Sequence, residues 1–252
     1  MITESTVMKL HEMKLGKMAL AFQNQLMDSG FQSLTFEERF GMLVDLEWTD
    51  RKNNRLARLI KDAGYAISSA CIEDVEYHDD RKLDRAQIMR LASCSYIHDC
   101  HNIIIMGATG TGKTFLSNAL GMAANRNYLQ VKYVRLPDLL GELAIAGSTG
   151  TFRKSVKLYK KVKLLILDEW LLFPLKETEA RDLLEIVESR CKSASTIFCS
   201  QFLTEGWHEK IGDPTLADAI ADRIVHDSYK ILIQGKESMR RRKGLSETVA
   251  KV

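Results

Sequence analysis

The eight residues Gly107-Ala-Thr-Gly-Thr-Gly-Lys-Thr114 constrain this chain more than any other feature. They match GxxxxGK[ST], follow directly on the apolar run NIIIM at 102–106, and lead into a helix-forming stretch at 115–125. Glycines let such a loop curl until its N–H groups point inward at an anion, the lysine brings charge to terminal phosphates, and the threonine hydroxyl can ligate magnesium. The helix that begins there adds the positive end of its dipole. Strand before and helix after is the context this loop requires. Gly107, Ala108, Thr109, Gly110, Thr111, Gly112, Lys113, Thr114 and Phe115 are therefore the expected binding segment for ATP and Mg2+. The spacing is not GxGxxG, which disfavours a dinucleotide site.

Beyond residue 101, apolar β-rich runs at 102–106, 131–134, 162–167, 196–199 and 231–233 alternate with helical stretches such as 115–125 and 177–190. Strands buried on both faces read as continuous apolar runs, so 101–245 is expected to be an α/β domain with a five-stranded parallel sheet flanked by helices. The third run ends in Asp168-Glu169. A buried strand would deliver Asp168 to the magnesium held by Thr114, and Glu169 would polarise an attacking water. The competing reading of an acidic pair at a strand end is a helix N-cap. The fourth run ends in Ser200-Gln201, where a polar side chain, with Ser200 the candidate, would sit between the carboxylates and the γ-phosphate; a plain loop residue is the competing reading. Lys113, Asp168, Glu169 and Ser200 form the expected catalytic set.

Residues 1–72 have a different texture. Leu10, Met13, Leu20, Phe36, Phe40, Leu43 and Leu46 recur at spacings of three and four, which predicts helices, and Thr35 ahead of Glu37 and Glu38 reads as a helix start. Arg51, Arg55 and Arg58 fall on one side of a helix that Gly64 ends, a candidate phosphate-contacting face or a plain solvated one. A small all-helical domain at 1–72 for DNA or a partner, a connection at 73–100 and a tail at 246–252 complete the expected organisation.

Charge points the same way. The net +3 is uneven: residues 151–163 hold six basic residues and no acid, including Arg153, Lys154, Lys157, Lys160 and Lys161, and 230–243 add six more against one Glu. Two such runs in one domain favour a polyanion over a merely solvated surface. Five cysteines without CxxC suit a reducing compartment, and the cytoplasm is the natural assignment. Cys94, His98, Cys100 and His101 crowd too closely for the usual spacing of a structural zinc site. No apolar stretch approaches the roughly 18 residues of a membrane span, and the N-terminus has no secretory h-region.

With these residues in view, the chain resembles AAA+ ATPases, and more closely the IstB-like helper ATPases of insertion-sequence transposition, relatives of the DnaC helicase loaders. The resemblance rests on Leu34-Thr-Phe-Glu-Glu-Arg39, Arg55-Leu-Ala-Arg-Leu59, Tyr133-Val-Arg-Leu-Pro137, Leu165-Ile-Leu-Asp-Glu-Trp170, Trp207-His208, the run from Gly212 to Arg223, and Glu237-Ser-Met-Arg-Arg241. It implies ATP-driven homo-oligomers on non-specifically bound duplex DNA, ATP hydrolysis, and delivery of that target to a partner transposase. It also implies that Arg223 is an arginine finger for a neighbouring subunit, with an intrahelical pair to Asp218, Asp222 or Asp227 as the competing reading. Arg240, in the run Arg240-Arg241-Arg242-Lys243, matches a second nucleotide sensor, with a solvated basic tail as the competing reading. Leu171-Leu172 depart from the pattern, since relatives usually carry a glycine soon after the acidic pair. The competing functions are a DnaC-like helicase loader preferring single strands, a non-hydrolysing ATP-gated DNA scaffold, and a small-molecule P-loop kinase.

Overall fold

The computed structural model describes residues 2–235 and 237–243, and the chain divides into two compact units, Met1–Arg58 and Leu59–Val252. The first unit contains α1 (Ile2–Glu12), α2 (Gly16–Met27) and most of α3 (Phe36–Ala63). Thr35 starts α3 as a capping box: its N–H donates to Glu38 Oε2 at 2.8 Å and its Oγ1 accepts from the Glu38 N–H at 3.3 Å. Buried Glu47 on α3 accepts the N–H groups of Lys17 (3.0 Å) and Met18 (3.2 Å), satisfying the start of α2. The core here is thin. Ala19, Ala21 and Leu43 are buried, whereas Met13, Leu20, Phe36, Phe40 and Leu46 are exposed. Helices of 11 and 12 residues cannot cover one of 28.

The second unit holds α4 (Arg85–Ala92), α5 (Ser95–His98), β1 (Asn102–Met106), α6 (Lys113–Arg126), β2 (Val131–Arg135), α7 (Leu136–Ser148), α8 (Phe152–Lys161) and β3 (Leu164–Trp170). It continues through α9 (Glu177–Arg190), β4 (Ser195–Ser200), α10 (Trp207–Ile211), α11 (Pro214–Val225), β5 (Ser228–Leu232) and α12 (Met239–Lys243). The strands form one sheet of order β2-β3-β4-β1-β5, and every pairing is parallel. Ile103 and Ile105 face one layer, with Leu116, Ala119 and Leu120 of α6. Ile104, Leu165, Leu167 and Phe198 face the other, with Leu139, Leu183 and Ile220 from α7, α9 and α11.

The division after Arg58 falls earlier than the boundary at 72 expected from the sequence. Residues 59–100 are part of the second unit: Ala63, Ala70, Ile72, Val75, Ile88, Leu91, Tyr96 and Ile97 pack into the layer that contains α6. Polar groups lock the same segment, as Tyr65 Oη donates to Asn125 Oδ1 at 2.6 Å and the Ile67 N–H donates to Asn118 Oδ1 at 3.0 Å. Among the described residues no helix is long and apolar enough to cross a membrane. The expected tail at 246–252 and the side chain of Arg240 lie outside the described residues.

Candidate nucleotide-binding site

Strand order determines what meets at the C-terminal edge of the sheet. The loop after β1 lies next to the end of β4, and β3 lies on the far side of β4, so one crevice collects all three ends, where open α/β sheets bind their ligands. Glycine is needed at the loop's close approaches. A Cβ on Gly107 would stand 2.5 Å from the Ile233 carbonyl oxygen. Gly112 ends the loop in the left-handed region, at φ 92°.

Lys113 is 8% exposed, and its Nζ donates to the carbonyls of Gly107 (2.7 Å) and Ala108 (2.9 Å). Burial pulls its pKa below the ordinary lysine value. The ammonium is thus held by its own loop, poised for an anion with better charge complementarity than two neutral carbonyls. Thr114 Oγ1 donates to Asp168 Oδ2 at 2.7 Å, and Asp168 is buried. These are the residues that could hold a metal ion. A third member has no mark of its own in the sequence: Tyr133 Oη, on β2, donates to the same oxygen at 2.9 Å. Burial, and then the adjoining Asp168 charge, push the Tyr133 phenol pKa upward, so it stays a proton donor.

Glu169 follows in the left-handed region, φ 55°, half-exposed, with Oε1 3.9 Å from Arg135 Nη1. Arg135 likewise has no mark of its own; it also forks onto Asp138 at 2.7 and 2.8 Å. Tyr133 and Arg135 are two apart on β2 and therefore share a face, a signal present in the motif Tyr133-Val-Arg-Leu-Pro137 but readable only once β2 is known to pair with β3. Leu171 also takes φ 54°, a conformation that costs a side-chain-bearing residue about 1–2 kcal/mol. Beneath this bend Trp170 is fully buried edge-on against Phe198 (4.6 Å) and Trp207 (5.5 Å), which anchors the end of β3.

Ser200 ends β4 and is fully buried. Its Oγ donates to the Trp170 carbonyl at 3.3 Å and accepts the Phe202 N–H at 3.1 Å, so the hydroxyl is spent on backbone at the strand end. The next residue reaches the loop instead: Gln201 Oε1 accepts from Thr109 Oγ1 at 2.9 Å. Arg223 pairs neither with Asp218, Asp222 nor Asp227 among the bonds described; its Nη2 donates to Glu188 Oε1 on α9 at 2.8 Å and its Nη1 to the Ala219 carbonyl at 2.9 Å. The basic residues of α8 line its outer face, with Val156 and Tyr159 turned inward, and Lys160 is bridged to Glu185 at 2.8 Å. In the first unit Arg51, Arg55 and Arg58 are exposed, Arg51 bonding Glu47 at 2.6 Å and the Lys14 carbonyl at 2.7 Å.

A five-stranded parallel sheet in this order, with a P-loop after β1 and an acidic pair at the end of β3, defines an AAA+ P-loop ATPase fold. Residues 8–247 match the family described as IstB-like ATP binding protein, and the chain belongs to that family. An insertion sequence ATP-binding protein of Sinorhizobium fredii is 41% identical over 241 residues, covering 96% of this chain and 98% of that protein. Among solved structures, the replication initiator DnaA bound to AMPPCP and single-stranded DNA superposes with TM-score 0.56 at 21% identity, over 68% of this chain and 51% of that one. The DnaC helicase loader superposes with TM-score 0.55 at 15% identity, over 66% of this chain and 97% of that one.

Proposed function

We propose that this chain is an ATPase that assembles on duplex DNA with ATP, hydrolyses the nucleotide and delivers the bound target to a partner transposase. The observation that carries the reading is the meeting of Lys113, Thr114 and Asp168 at one loop mouth with Glu169 beside them, in a chain whose relatives are named as insertion sequence ATP-binding proteins.

ATP is the substrate. The loop amides and Lys113 take its phosphates, the lysine exchanging the Gly107 and Ala108 carbonyls for phosphate oxygens. Two hard oxygen donors 2.7 Å apart, Thr114 Oγ1 and Asp168 Oδ2, fit a magnesium ion. Held by these two residues, it would neutralise charge on the phosphate oxygens. Glu169 orients a water and takes its proton as the new P–O bond forms and the bond to the departing ADP breaks. Arg223 offers a further cation to the γ-phosphate of a neighbouring subunit, which makes the nucleotide a ligand of the interface. Arg240 is the candidate second sensor. Arg153, Lys154, Lys157, Lys160 and Lys161, with Arg51, Arg55 and Arg58, contact DNA phosphates without reading bases.

ATPase rates without DNA, with single strands and with duplex test this reading. Duplex should stimulate most. Stimulation by single strands alone would favour a helicase loader, and binding without turnover on any DNA would favour an ATP-gated scaffold.

A further inference from the structure

An arginine is buried against the P-loop from a segment that the sequence reading treats only as a connection. Arg81 ends the one-turn 3-10 helix Asp79–Arg81 and is 5% exposed. Its Nη2 donates to the Thr111 carbonyl at 2.8 Å and its Nη1 to the Glu76 carbonyl, while Nε is buried with no hydrogen-bond partner among the described residues. The backbone is pinned as well, since the Arg81 carbonyl accepts the Gln234 N–H at 3.1 Å.

Two features set this guanidinium apart from an ordinary structural arginine. Both hydrogen bonds run to neutral carbonyls, the neighbouring Asp80 is paired with Arg242 at 2.6 Å, and the Glu76 and Asp80 carboxylates attract Arg81 through space. Its charge also stands in the wall of a cavity of about 290 Å³ that the loop residues Gly110, Gly112, Lys113 and Thr114 line with it, Asp74 and Glu76 forming part of the same wall. A Cβ on Gly112 would come within 2.9 Å of Arg81 Nη2, so the absent side chain of that glycine is what lets the guanidinium lie against the loop.

We propose that Arg81 is a positioning residue of the nucleotide site, holding the Thr111–Gly112 turn by its carbonyl so that the loop amides face the phosphates, and adding a second positive charge beside Lys113. This rests on the reading of the loop as an ATP site. A lysine would keep the charge but not the planar fork that spans Thr111 and Glu76.

The test titrates wild type, Arg81→Ala and Arg81→Lys with fluorescent ATP and ADP analogues, alongside hydrogen exchange at residues 107–114 and in β1 and β4. Arg81→Ala should lose about tenfold or more in affinity for both nucleotides, the scale of a hydrogen bond to a charged group. Arg81→Lys should recover only part of it. Exchange should quicken in the loop while β1 and β4 stay protected. Affinity of Arg81→Ala within twofold of wild type overturns the proposal, as does exchange that quickens through the strands in step with the loop. Failure of wild type to bind either analogue overturns the ATP reading itself; binding by wild type and Arg81→Ala alike overturns only the role of Arg81.

Discussion

Thr114 and Asp168 are tied by a 2.7 Å hydrogen bond that links the first turn of α6 to the end of β3, although β4 separates β3 from the strand that feeds the loop. The carboxylate is held from a second side by Tyr133. In the proposed site Asp168 holds the magnesium ion, so Asp168→Asn should keep ATP affinity measured in EDTA while losing the gain that magnesium confers. Equal magnesium responses in variant and wild type would remove Asp168 from the metal site.

Lys113 and Glu169 should separate binding from turnover. Lys113→Ala removes the buried ammonium and should weaken ATP binding by about a hundredfold, at the upper end for charged hydrogen bonds. Glu169→Gln retains shape but accepts no proton, so nucleotide affinity should stay near wild type while steady-state hydrolysis stops. Turnover within twofold of wild type would move the base elsewhere.

Arg223 is paired with Glu188 on the neighbouring helix in the isolated chain. A partly exposed pair of this kind contributes about 0.2–1 kcal/mol, little enough for a γ-phosphate to displace the glutamate. Arg223→Ala should therefore bind ATP normally yet fail to assemble on DNA, and mixing it with Lys113→Ala should restore some hydrolysis. Sedimentation with DNA and a non-hydrolysable ATP analogue reads the outcome; complexes of wild-type size formed by Arg223→Ala would refute the finger.

Charge reversal at Arg153, Lys154, Lys157 and Lys161 on the outer face of α8 should lower affinity for all DNA sequences alike and flatten its salt dependence, since a protein that neutralises fewer phosphates releases fewer counterions. Lys160 is best left in place because it bridges Glu185. Unchanged salt slopes would transfer the phosphate-binding role to Arg51, Arg55 and Arg58.

Truncation should distinguish the two boundaries. A chain starting at residue 59 keeps Tyr65 on Asn125 and Ile67 on Asn118 and should unfold cooperatively, whereas one starting at 73 also removes Ala63 and Ala70 from the core and should melt lower. Equal melting temperatures would show that residues 59–72 contribute nothing to the core.

What could be read from the sequence alone was local. The P-loop, the Asp168-Glu169 pair, the cap at Thr35 and the alternation of strand and helix all depend on residues within a few positions of one another, where backbone geometry and periodicity act directly. Strand ends were less legible. Strand β5 begins at Ser228, earlier than the apolar run at 231–233, because Ser228 is half-buried and Tyr229 and Lys230 are exposed, so no continuous apolar run marks its start. Only tertiary structure decided which side chains meet. Tyr133 reaches Asp168 because β2 pairs with β3; Gln201 rather than Ser200 reaches the loop because the serine is consumed at the strand end; and Arg81 lies against Thr111 because 59–100 folds back over α6. Each of those hydrogen bonds joins residues at least thirty apart. Hydrophobic periodicity says which face of an element is buried, but not which element buries it, and that choice is made by the packing of the whole core.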